Sequence, residues 1–176
     1  MEKALKILSE EHKNILKMVD ALVMKCNAIE SGKELDTGFF KKAVGFIKNY
    51  ADKFHHAKEE NILFAELCKD DVQMHCNPTQ QMMYEHDVGR KFVKELEKGV
   101  EEKNKDKIIQ NAKGYAQLLQ EHVFKEDNIL YPMANDALSQ GAKDIMLDKF
   151  RRIEHEMANE IDKHLSFIKE LAKQDG

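Results

Sequence analysis

Apolar residues recur along this chain in alternating steps of three and four, the spacing that lays one stripe along a helix. Leu5, Leu8, His12, Ile15, Val19, Leu22 and Cys26 form such a stripe, and so do Met82, His86, Gly89, Val93, Leu96 and Val100. Another reads Ile108, Ala112, Tyr115, Leu119, His122, Glu126, Ile129 and Met133. One more, Phe40, Val44, Ile47 and Ala51, drifts through His55 and Glu59 to Ile62. Ser31-Gly32, Asn77-Pro78-Thr79, the polar run from Glu101 to Asp106, and Gly141 interrupt the pattern. Together these predict five helices, over about 3–30, 37–69, 79–102, 105–139 and 143–173. Short connections make neighbouring helices antiparallel. The expected fold is all-α: an up-down-up-down four-helix bundle with an additional C-terminal fifth helix. It forms one domain over 1–176, with its core bundle at about 3–139 and the extra helix at about 143–173.

Each of the first four stripes carries a histidine where an apolar residue would otherwise stand, and two carry a glutamate four residues later. Polar groups in a core stripe cost free energy unless something satisfies them. One buried histidine is ordinarily satisfied by a hydrogen bond, but four of them with two carboxylates need a common explanation. An internal repeat supplies it. His55-His56-Ala57-Lys58-Glu59-Glu60-Asn61-Ile62-Leu63-Phe64 matches His122-Val123-Phe124-Lys125-Glu126-Asp127-Asn128-Ile129-Leu130-Tyr131, and Glu11-His12 resembles Glu85-His86. The chain reads as a duplicated helix pair. His12 and His86 come early in their helices and His55 and His122 late, so antiparallel packing brings all four to one depth. Both His55 and His56 have a carboxylate four residues on. The repeat pairs His55 with His122, and at about 100° per residue His56 turns away from the stripe. His55 and Glu59 are therefore read as ligands, and His56 and Glu60 as outer-face or supporting residues.

Residues four apart on a helix share a face, so His-x-x-x-Glu offers an imidazole nitrogen and a carboxylate to a common point. Four imidazoles and two carboxylates exceed the four ligands of one structural zinc. They suit two octahedral ions with the carboxylates as bridges; the donor types fit iron, with manganese or zinc as the other ions. The expected metal ligands are His12, His55, Glu59, His86, His122 and Glu126. Gly89, on the stripe one turn after His86, leaves space beside them. Tyr115 is read as a core tyrosine with a satisfied hydroxyl, near enough to His122 to line a pocket. His164 falls at the far end of its helix, and His155 and Glu156 face away, so none of the three joins the set.

Composition narrows the partners. The formal net charge is −4 and is spread along the chain, without the basic stripe that nucleic acid asks for and without a cationic face for an anionic membrane. No apolar run approaches the ~20 residues that span a bilayer. The start, MEKALKILSEEH, turns acidic too soon for a signal peptide. Three cysteines, Cys26, Cys68 and Cys76, show no CxxC spacing and read as reduced thiols of a cytoplasmic protein.

His12, the HHxKEE-type segment at 55–60, Glu85-His86 with Gly89-Arg90, and the HxxKED segment at 122–127 together resemble the hemerythrin-like HHE cation-binding family. The resemblance covers roughly residues 3–135. It implies a four-helix bundle around an oxo- or hydroxo-bridged di-iron centre, with His12, His55, Glu59, His86, His122 and Glu126 as ligands. It also implies a small partner, O2, nitric oxide or peroxide, an electron donor the sequence does not name, and a monomer or small homo-oligomer. Two departures matter. Oxygen-carrying members have a second histidine one turn after that of the third helix, where this chain has Arg90. They also use a longer His-to-Asp spacing in the fourth helix. One histidine short, the site is expected to favour peroxide or nitric oxide chemistry over reversible oxygen carriage. The other expectation is a non-catalytic sensor or an iron-handling module. The iron–sulfur repair branch has the similar four-histidine, two-glutamate layout, but usually also a cysteine-containing N-terminal domain that this sequence lacks.

Overall fold

The computed structural model describes residues 2–174; residues 1, 175 and 176 of the expected domain lie outside the described residues. Among the described residues there is no strand. Helical rods run over 3–30, 37–67, 79–101, 105–137 and 140–174, and we number them α1 to α5. The stripes predicted these rods to within three residues at each end. Local chemistry explains the starts. Asp36 Oδ1 accepts from the Phe39 N–H at 2.9 Å, Asn104 Oδ1 from Lys107 at 3.0 Å and Ser139 Oγ from Ala142 at 3.2 Å, each satisfying an N–H that has no partner inside its helix. Gly32, at φ +90°, turns the chain out of α1 in the left-handed region that favours glycine.

Two rods are not uniform. Within α2, Ile47–His56 and Glu59–Leu63 are π-helical, and within α4 Glu126–Leu130 is. The two short stretches, Glu-Glu-Asn-Ile-Leu and Glu-Asp-Asn-Ile-Leu, fall at the same place in the internal repeat. Pro132 favours the wide turn in α4, because it has no N–H for the carbonyl four residues back. Its counterpart in α2 is Ala65, so proline is not required. Rod α5 also differs from the single helix expected: it steps at Met157, between Gln140–Glu156 and Ala158–Gln174.

Rod α1 packs against α2 and α4, α3 packs against α2 and α4, and α5 lies on α1 and α2. The interior is two apolar clusters rather than one. Leu5 and Leu8 of α1 belong to one cluster, and Ile15 and Val19 to the other. The same change of cluster separates Phe54 from Ile62 in α2, Val93 from Met82 in α3 and Leu119 from Leu130 in α4. In every case the histidine of the stripe lies at or beside the change, so a polar layer crosses the interior between two apolar ones.

Candidate metal centre

The polar layer holds all six residues singled out by the sequence. His12, His55, His86 and His122 are each at most 2 % exposed, and Glu59 and Glu126 are wholly buried. Their inward atoms converge. Glu126 lies across the layer, with Oε2 3.2 Å from His12 Nε2 and Oε1 3.2 Å from His122 Nε2. Glu59 Oε2 is 3.5 Å from both His55 Nε2 and His86 Nε2. Two groups have donor atoms all within 4.8 Å of one another: His12, His55, Glu59 and Glu126, and His56, Glu59, His86 and His122.

The outward nitrogens account for the rest of the repeat. His55 Nδ1–H donates to Glu11 Oε2 at 2.9 Å, and His122 Nδ1–H to Glu85 Oε2 at 2.8 Å. His12 Nδ1–H donates to Asp127 at 3.1 Å, and His86 Nδ1–H to Glu60 at 2.7 Å. Lys58 and Lys125, repeat equivalents, pair with Glu11 and Glu85. A carboxylate behind each ring fixes the tautomer with the lone pair on Nε2, the arrangement found behind metal-binding histidines. The repeated Glu-His and Lys-Glu-acid segments are thus the ring-holding apparatus, built once in each half. Of these acids the sequence assigns a place only to Glu60, as an outer-face or supporting residue; Glu11, Glu85 and Asp127 stand in it as repeat matches alone.

The donor set fits metal ions on this structure's own terms. With Nδ1 protonated on both rings, His86 Nε2 and His122 Nε2 face each other as lone pairs at 3.0 Å, which repel unless a cation or proton lies between them. Donors in adjacent positions of an octahedral ion, with bonds of about 2.1 Å, stand about 3 Å apart, close to the spacings above. Buried polar atoms normally find a partner. Here His55 Nε2, both nitrogens of His56, Glu59 Oε2 and both oxygens of Glu126 have none, and all belong to this layer.

His56 is where the structure departs from the expected outer face. It is buried, and its ring stacks on His86 at 3.8 Å between centroids. The physical reason is the π-helical stretch Ile47–His56. A wider turn holds more residues, so successive side chains are closer in angle than on an α-helix, and His55 and His56 both face inward. Five histidines therefore surround the layer. Arg90 turns away to Asp52 at 2.7 Å, Glu60 at 2.6 Å and Asp87 at 3.0 Å. His155 and Glu156 are exposed, and His164 pairs with Glu160 at 3.0 Å, away from the layer.

The two groups end differently. On the His12 side the Tyr131 ring lies parallel to His12 at 5.5 Å, and its hydroxyl donates to Glu59 Oε1 at 2.5 Å. On the other side Phe64, the repeat equivalent of Tyr131, stacks on His86 at 5.9 Å without a hydroxyl. A pocket of about 230 Å³ reaches His56, His86 and His122 from a rim that includes Lys48, Lys94 and Glu97. Gly89 and Tyr115 form part of its wall. A Cβ on Gly89 would stand 3.6 Å from the Tyr115 ring. The reading of Tyr115 as a satisfied core tyrosine fails, because its buried hydroxyl has no partner.

Without a cation, protons take its place. Burial opposes charge on His12, but the hydrogen bond to Asp127 and the Glu126 carboxylate close by outweigh it and raise its pKa to about 9. Burial likewise opposes charge on His122, and Glu126 and Glu85 raise it to about 10. Burial and the neighbouring His86 push His56 down to about 3. Burial, His12 and His56 hold His55 well below its ordinary value. Burial and Glu126 keep Glu59 well above the carboxylate range, while His122 and His12 overcome burial to keep Glu126 well below it.

Set beside known proteins, residues 3–134 match the family model described as the hemerythrin HHE cation-binding domain. Neither a curated protein nor a solved structure matches the chain.

Proposed function

Because the chain belongs to the hemerythrin HHE cation-binding family, we propose that it is a di-iron protein that presents one of its two ions to O2, peroxide or nitric oxide. His12 and His55 would hold one ion and His56, His86 and His122 the other, with Glu59 and Glu126 shared. Four rods, α1 to α4, would form the up-down-up-down bundle as one domain with α5 laid on it. We place the protein in the cytoplasm on its thiols, since Cys26, Cys68 and Cys76 are all free. No helix of the described residues is long and apolar enough to cross a membrane.

The observation that carries this reading is the set of buried donors without partners in one layer, held by four ring-to-carboxylate bonds. Two iron ions supply electrons and open coordination positions to a small oxidant or diatomic molecule. The protein's part is to orient and exclude. Glu11, Glu60, Glu85 and Asp127 keep each Nε2 unprotonated toward the centre. Tyr131 closes the His12 side. The pocket would admit a small ligand on the His86 side. Arg90 ties Asp52 of α2 to α3 beside that pocket.

Anaerobic protein loaded with ferrous iron and titrated with O2, nitric oxide and peroxide tests this by visible absorption and metal content. Two irons per chain and a spectrum that changes with one of these ligands are expected; fewer than two irons, or no response to any, contradicts it. A second reading, a sensor without turnover, draws on one contact: Lys58, paired with Glu11 behind His55, is 3.9 Å from Glu154 of α5. Steady consumption of peroxide or nitric oxide excludes it. Binding that changes only oligomeric state or partner affinity favours it.

A further inference from the structure

Tyr115 belongs to no part of the metal-holding apparatus, yet it is 2 % exposed and its hydroxyl has no hydrogen-bond partner. An orphaned buried hydroxyl costs stability, and phenylalanine would fill the same volume without that cost. Tyr115 is part of the pocket wall that also carries His56, His86 and His122. Several other donors there are committed. Arg90 is spent on Asp52, Glu60 and Asp87, Lys48 on Glu97 at 3.0 Å, and the Nδ1–H groups of His86 and His122 on Glu60 and Glu85. Glu85, Asp52 and Glu60 are themselves acceptors already in use. Tyr115 is thus an uncommitted donor on the pocket wall, as is His56, whose nitrogens are also without partners, and burial raises the Tyr115 pKa, which keeps it protonated.

Resting on the di-iron reading, we propose that Tyr115 is a positioning residue: its hydroxyl donates a hydrogen bond to the ligand held at the His56/His86/His122 side. The site then prefers small ligands whose outer atom accepts a hydrogen bond strongly, such as azide or a peroxide, over nitric oxide. Gly89 makes room for this, since any side chain longer than a methyl there would crowd the Tyr115 ring.

Tyr115→Phe in the ferric, two-iron protein tests the assignment with azide as the probe. Azide affinity should fall roughly tenfold, about 1.4 kcal/mol, while nitric oxide affinity of the ferrous protein and the iron content stay unchanged. The azide stretching frequency should shift between H2O and D2O in the parent protein and lose that shift in the variant, a signature that a merely structural tyrosine would not give. The metal-free variant should unfold at the parent's temperature or above, because it no longer buries an unpaired hydroxyl. Equal azide affinity in both proteins, an isotope shift that survives the substitution, or a variant of markedly lower stability overturns the inference. Parent protein that holds fewer than two irons overturns the di-iron reading beneath it and the inference with it.

Discussion

Behind His55, Lys58 is wholly buried, with the Phe54 ring 3.8 Å from its ammonium and Phe150 of α5 at 5.4 Å. Behind His122, the equivalent Lys125 is a third exposed. Ile62 is buried where its counterpart Ile129 is 47 % exposed. Rod α5 makes the difference, since it lies on α1 and α2 and covers only that half. The same unequal cover changes the chemistry of matched acids. Burial raises the Glu11 pKa to about 7 although Lys58 pulls the other way. At Glu85 burial is outweighed by hydrogen bonds from His122 and Lys125, and the pKa falls to about 2. At the centre the asymmetry runs through two more repeat pairs: Tyr131 against Phe64, and Val123 against His56. A duplicated motif supplies two equal ring-holding sets, and substitutions inside it make one side closed and the other open.

The shared element should be the most costly to remove. Glu126→Ala removes the carboxylate whose two oxygens stand 3.2 Å from His12 and 3.2 Å from His122, so metal affinity should fall more than about 100-fold at both positions, beyond the cost of losing an outer partner. Loss of one metal alone, read by metal analysis after dialysis, would show that Glu126 does not join the two sides. His56→Ala should leave one metal per chain and Val123→Ala two, although the positions match in the repeat. Equal stoichiometry in the two variants would return His56 to a supporting role.

Next come the acids behind the rings. Glu11→Gln and Glu85→Gln should each weaken metal binding by about 10–100-fold, and their metal-free forms should differ with pH. A folded pKa near 7 for Glu11, against an ordinary 4.5, gives stability that is full below about pH 4.5 and is lost as pH rises through 7. A folded pKa near 2 for Glu85 gives stability present above about pH 4.5 and lost as pH falls through 2. Thermal unfolding from pH 3 to 8 should therefore show Glu85→Gln destabilised at pH 7, and Glu11→Gln close to the parent below about pH 4.5 and gaining on it as pH rises through 7. The same pH profile in both would mean α5 does not separate the halves.

Much of this was legible because it is periodic. The stripes placed the rods, and the repeat with antiparallel packing placed six residues in one layer. His56 was not legible because its position depends on a π-helical turn, and nothing in Ile47–His56 announces one; an assumed 100° per residue put it outside. Glu60 and Asp127 stood in the repeat in plain view, but their role needs the distance to a ring on another rod. The unpaired hydroxyl of Tyr115 could not be told from a satisfied one until its surroundings were known.

Smaller effects sharpen the open side and the scaffold. Gly89→Leu should keep two metals but crowd Tyr115 and Leu118, which weakens azide roughly tenfold, in the range of a modest overpacking cost. Unchanged azide binding would place the entrance elsewhere. Asp36→Ala, far from the layer, removes the cap on the Phe39 N–H. It should cost about 1 kcal/mol in thermal or urea unfolding and leave metal content alone. Because that hydrogen bond lowers the Asp36 pKa, the cost should fade in strong acid, as pH falls through that lowered value.

The central claim is that one polar layer holds two metal ions, one on each side of Glu126. Crystals grown from iron-loaded protein, with diffraction recorded on either side of the iron absorption edge, test it most directly. The account predicts two anomalous peaks, one among His12, His55, Glu59 and Glu126, the other among His56, His86, His122 and the same two glutamates. A single peak, or two peaks with His56 turned out to solvent, would contradict it.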